Sequence, residues 1–133
     1  MSETFDEYRL RRIIDSDNMI IKDLVQWVTI EHNNHKLSAL LSEMGYKKIA
    51  IYGYGHLGKL LEEVLHNDVQ IDCVIDKKFT VDTVFQRKNY TDDINVDAII
   101  VTSPFYFSEI RDELRRNGYV GEIRLIDEIL FQV

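Results

Sequence analysis

The chain has 133 residues, 45% of them hydrophobic and 29% charged, which fits one globular domain with its own core and excludes a disordered chain. Sixteen basic residues against 23 acidic ones leave a net charge of −7, and basic runs no longer than Arg11-Arg12 or Arg115-Arg116 exclude nucleic acid as a general partner. With a single cysteine, Cys73, a polar N-terminus and no apolar run near ~20 residues, the chain reads as cytoplasmic, without a disulfide and without a membrane span.

Residues 1–45 contain no proline, and their only glycine is Gly45. Their apolar residues fall at helical spacing. Phe5, Tyr8 and Arg12 share one stripe of a first helix, with Ile13 beside it. Asp15-Ser16-Asp17 is an N-cap cluster that predicts a break, and then a second helix over about Asn18–Glu31. That second helix is apolar around much of its circumference. Ile20, Trp27, Val28 and Ile30 cannot all face one small sheet, so this segment is expected to make a homodimer as well as to cover the rest of the chain. His32-Asn33-Asn34 ends it. A short third helix places Leu37, Leu40, Leu41 and Met44 on one face and Gly45 at C′.

From Tyr46 onward, strands alternate with helices. Ile49-Ala50-Ile51-Tyr52 is a buried-strand run, followed by a helix with Leu57, Leu60, Leu61, Val64 and Leu65 inward and Lys59, Glu62 and Glu63 outward. Ile71 to Ile75 is a second strand. Thr83-Val84-Phe85 is the one strand in the polar stretch 77–95, and Ala98 to Val101 is the cleanest buried strand. A helix from about Ser108 to Asn117 closes at Gly118. Glu122 to Ile126 is a last strand, and Asp127 caps a terminal helical turn. This alternation predicts an α/β fold: a Rossmann-like parallel sheet over residues 46–133, in the order 3-2-1-4-5 with helices on both faces, preceded by the helical segment 1–45.

One motif carries chemistry. Gly53-Tyr54-Gly55-His56-Leu57-Gly58 is G-x-G-x-x-G between a strand and an amphipathic helix, inside a βαβ unit. Gly53 permits the tight turn, Gly55 lets a pyrophosphate approach the backbone, and Gly58 lets helix and strand pack closely. The phosphates would meet free N–H groups and the positive helix end. Asp76 ends the second strand 18 residues after Gly58, where an acid accepts hydrogen bonds from ribose hydroxyls and favours NAD over NADP. The competing reading keeps the glycine turn for its geometry alone, with an empty site.

The motifs I-Y-G-Y-G-H-L-G (51–58) and V-I-D-K (74–77), with Ala98 to Pro104, resemble the small NAD- or nucleotide-sugar-binding Rossmann domains of bacterial surface-polysaccharide biosynthesis. Those include the N-terminal domains of sugar dehydratases, epimerase-like proteins and sugar acyltransferases. The resemblance covers about residues 46–130. It implies that Gly53, Tyr54, Gly55, His56, Leu57 and Gly58 surround the phosphates, that Asp76 takes the ribose, and that Thr102, Ser103 and Pro104 lie across the cleft. Those enzymes continue into a catalytic half or domain. Here the expectation is therefore a nucleotide-binding module with an accessory or sensing role, not an enzyme on its own.

No catalytic or metal-ligating residue is assigned. The Tyr-x-x-x-Lys pair of short-chain dehydrogenases is absent at every tyrosine. His56 is the best titratable candidate, placed at a helix N-terminus that would keep it neutral. His32 and His35 have no third ligand nearby in sequence. Cys73 reads as a core thiol, Ser103 as a polar lip of the cleft, and one ring of Phe105-Tyr106-Phe107 as a stacking surface for a base. Asp92-Asp93 and Asp112-Glu113 read as solvated faces. The runner-up function is an interaction scaffold whose nucleotide site is empty, and a complete NAD-dependent oxidoreductase ranks last.

Overall fold

Apolar runs of four or five residues are too short for buried helices, and here they form the middle of a sheet. In the computed structural model the strands are β1 (Lys48–Tyr52), β2 (Gln70–Ile75), β3 (Gln86–Lys88), β4 (Ala98–Val101) and β5 (Glu122–Leu125). The helices are α1 (Phe5–His32), α2 (Leu37–Glu43), α3 (His56–Leu65), α4 (Phe107–Arg116) and α5 (Ile126–Leu130). The structure describes residues 4–32, 36–53, 56–65, 69–75, 86–88, 94–103 and 106–131. Strands β2, β1, β4 and β5 lie side by side in that order and all run parallel. The three-residue β3 pairs in parallel with the outer side of β2. Its residues are polar and sit just beyond Thr83-Val84-Phe85, a predicted strand that falls outside the described residues.

Alternation along each strand divides the core in two. Ile49, Ile51, Val74, Ala98 and Ile100 face α1, α2, α3 and α5. Ala50, Tyr52, Cys73, Ile75, Ile99 and Val101 face the other way, where α4 packs Ile110 and Leu114. The expected α/β class, with a parallel sheet between helices, is what forms. Both α2 and α4 end as predicted at glycine C′ positions. Tyr46 N–H bonds Leu41 O and Gly45 N–H bonds Ser42 O, while Tyr119 N–H bonds Leu114 O and Gly118 N–H bonds Arg115 O. These are paired Schellman bonds.

The N-terminal segment departs from expectation. One 28-residue helix runs unbroken through Asp15-Ser16-Asp17. Those residues cost only about 0.5 kcal/mol each in helix propensity, less than restarting a helix costs, and no glycine or proline forces a stop. The true start is a capping box at Thr4 and Glu7. Glu7 N–H donates to Thr4 Oγ1 at 3.1 Å and Thr4 N–H to Glu7 Oε2 at 3.3 Å. Trp27 and Ile30 are buried, Ile20 is half-buried and Val28 is exposed, so the four residues do divide between two faces. In α3, Leu57, Leu61 and Leu65 are buried as expected and Leu60 is half-buried, but Val64, expected inward, is exposed and Glu62, expected outward, is buried. Asp127 is no cap: the N-cap of α5 is Leu125, with no side-chain hydrogen bond. Among the described residues no helix is long and apolar enough to cross a membrane.

Candidate functional site

The chain order of the sheet places a switch point at the carboxyl ends of β1 and β4. From β1 the chain crosses to β2 on one side, and β4 lies on the other. Crevices at such points hold ligands in open parallel sheets. Gly53 follows β1 at this point with φ of +94°, a conformation that favours glycine because it has no Cβ. Its N–H donates to Ile75 O at 2.9 Å, tying the turn to the end of β2. On the other side Thr102 N–H donates to Tyr52 O at 3.1 Å. The Thr102 hydroxyl lies 3.2 Å from Tyr52 O and 3.1 Å from Gly53 O, in position to donate to either.

Two of the three motif glycines have a packing reason. A Cβ on Gly53 would lie 2.8 Å from Thr102 Oγ1. A Cβ on Gly58 would overlap the carbonyl oxygen of Gly53 and lie 3.7 Å from Ile51 Cγ2. The first turn of α3 therefore rests directly on the strand-ending turn, as the third glycine of the motif requires. Leu57 and Gly58 are buried, and Leu57 joins the core.

The structure brings Gly53, Leu57, Gly58, Thr102 and Ser103 to the end of the β1/β4 pair. Thr102 is buried and Ser103 half-buried. His56 begins α3; its side chain, with Tyr54, Gly55, Asp76 and Pro104, lies outside the described residues. Ile75, the residue before Asp76, ends β2 beside Gly53. Of the aromatic triplet, Phe107 packs on the core with the Arg111 guanidinium 5.7 Å from its ring centre. Tyr106 is 54% exposed, while Phe105 is outside the described residues. Cys73 is fully buried in β2 and in no disulfide. His32 is exposed on α1, and His35 is not described. Among the described residues no three His, Cys, Asp or Glu side chains gather as a metal site.

Two carboxyl groups escaped the sequence reading. Asp97 Oδ2 accepts Lys47 N–H at 2.8 Å and Lys48 N–H at 2.9 Å. Those two amides hold its carboxyl below the usual aspartate range. This cap fixes the start of β1, the end remote from the glycine turn. Asp23 is fully buried in α1, and no hydrogen-bond donor reaches either oxygen. Burial, and then the neighbouring Asp127 carboxyl on α5, push its pKa up to about 8, against a smaller opposing effect of Lys22. Nothing in a helical period marks a buried acid, so only the three-dimensional packing reveals it. Compared with protein-family models, with curated proteins and with solved structures, the chain matches none.

Proposed function

We propose that the crevice at the ends of β1 and β4 binds a nucleotide, either NAD or a nucleotide-sugar, through its phosphates. The chain would then be a Rossmann-like binding module with the sheet order 3-2-1-4-5, working in the cytoplasm in an accessory or sensing role. The resemblance of its motifs makes surface-polysaccharide assembly the favoured setting. The observation that supports this reading most is the fit of Gly53 and Gly58. The turn passes under Thr102 and the helix rests on it, so α3 starts where phosphates dock in such sheets. Asp76, next after the Ile75 that bonds Gly53, would take the ribose hydroxyls.

The same contacts favour a second reading. Gly53 and Gly58 are both explained by packing, so the turn could be kept with nothing bound, in a protein whose role is interaction. The two readings separate at Gly55, whose reason under the first is the ligand itself. A thermal-shift panel of NAD, NADP, coenzyme A, ATP and UDP- and CDP-sugars tests them. At a hundredfold its dissociation constant a true ligand adds about 2.7 kcal/mol, a shift of several degrees. We expect a selective hit, lost in Gly55→Val. A flat panel with a folded chain overturns the nucleotide reading in favour of the empty site.

A further inference from the structure

The helix α1 carries an apolar stripe that one copy of the chain leaves exposed. Twenty-eight residues at 1.5 Å each make it about 42 Å long. Among its described side chains the buried ones are Asp23, Trp27 and Ile30. Every described side chain from Thr4 to Asn18 is exposed. Among them is Leu10, 60% exposed. Turned away from the core, Ile21, Val25 and Val28 are 58%, 61% and 68% exposed. At 100° per residue these three and Leu10 fall within about 60° of one another. The stripe ends in an open, mostly apolar groove of about 460 Å³ between α1 and α3, where Trp27, Val28, Leu60 and Val64 share the lining with Glu31 and His32.

We propose that a second copy of this chain covers the stripe, with the two α1 helices antiparallel about a two-fold axis near Met19. Leu10 of each copy then lies over the partner's Val28 and its groove, and the contact repeats in reverse, as an isologous interface must. The N-terminal half of one copy covers the groove at the other end of its partner. The same register brings Asp15 beside the partner's Lys22 twice, a lysine that also stands on its own Phe131 ring, and sets exposed Asp17 opposite the partner's Ile21. The area is sufficient. Burying the exposed parts of Leu10, Ile21, Val25, Val28 and Val64 removes on the order of 80 Å² each, so ten side chains give about 800 Å² of apolar surface. Their polar flanks carry the total past the ~1,000 Å² a specific interface needs. This inference does not depend on the nucleotide site.

The test uses the whole chain. Sedimentation at tens of micromolar should give twice the 15.7 kDa chain mass. The double variant Leu10→Cys with Val28→Cys should form disulfide-linked dimers under mild oxidation. Cys73 is fully buried and does not compete. Within one helix the two positions are about 27 Å apart, far beyond the ~7 Å Cα limit of a disulfide, so any bridge joins two copies. Each single variant should give no bridge, because like positions of the two copies are also about 27 Å apart. A monomer overturns the proposal, as it would if the partner were a different protein. Bridges in the single variants, or a dimer without bridges in the double variant, overturn the antiparallel register.

Discussion

Gly58 concentrates the case for a built turn, and it yields a prediction of definite sign. At an unconstrained helix position, replacing glycine by alanine stabilises by about 1 kcal/mol. Here the new Cβ would overlap the Gly53 carbonyl, which is backbone and cannot rotate away. Forcing a methyl into a packed contact costs about 1–3 kcal/mol, so the clash exceeds the propensity gain. Gly58→Ala should therefore lower the melting temperature by several degrees, measured by circular dichroism. A rise would mean that α3 can slide off the turn, and the close helix–strand contact would lose its meaning. This residue was readable in the sequence because the motif has a mechanical reason at each glycine. Thr102 was placed across the cleft only by resemblance. That its hydroxyl reaches Tyr52 O and Gly53 O depends on how β4 registers against β1, and neither strand's own sequence carries that.

Among the elements, α1 is the least regular in its logic. It docks on α5, where Gln26 Nε2 donates to Leu130 O at 3.0 Å and Lys22 Nζ stands 5.0 Å from the Phe131 ring centre. At the same contact buried Asp23 lies beside half-buried Asp127, and two ionised carboxylates there would repel each other. Below about pH 4 Asp23 is protonated in folded and unfolded chains alike, so its ionisation costs no stability. Between its ordinary 3.8 and the folded value of about 8, unfolding releases a proton, so stability falls as pH rises. Above 8 the whole cost is present. Asp23→Asn keeps a neutral donor beside Asp127, and it should melt higher than the unmodified chain at pH 8, with the difference shrinking toward pH 5. An equal difference at both pH values would show that Asp23 does not titrate between them. The buried runs at β1 and β4 and the glycine ends of α2 and α4 were legible because burial and C′ chemistry are local. The break expected at Asp15-Ser16-Asp17 failed because cap-forming residues stop a helix only where a competing cap or breaker is present. The capping box at Thr4-x-x-Glu7 was the signal that could have fixed the start of α1.

At the scale of the whole molecule, sheet, turn and helix converge on one end of β1, and α1 offers its outer stripe on a face of its own. The alternation of strands and helices made the α/β class legible. The strand at Gln86–Lys88 was not legible, because it is polar and an edge strand need not show a buried pattern. A ligand at the glycine turn and a second copy on α1 would occupy different surfaces, so one spectrum can separate them. The direct measurement is a ¹⁵N-resolved amide titration of the chain with NAD and then with a UDP-sugar. The account predicts that amides of residues 53–58 and of Thr102 and Ser103 shift, while those facing the groove at Trp27, Val28 and Val64 stay still. No shift at millimolar nucleotide, or shifts confined to that groove, would contradict a phosphate-binding turn.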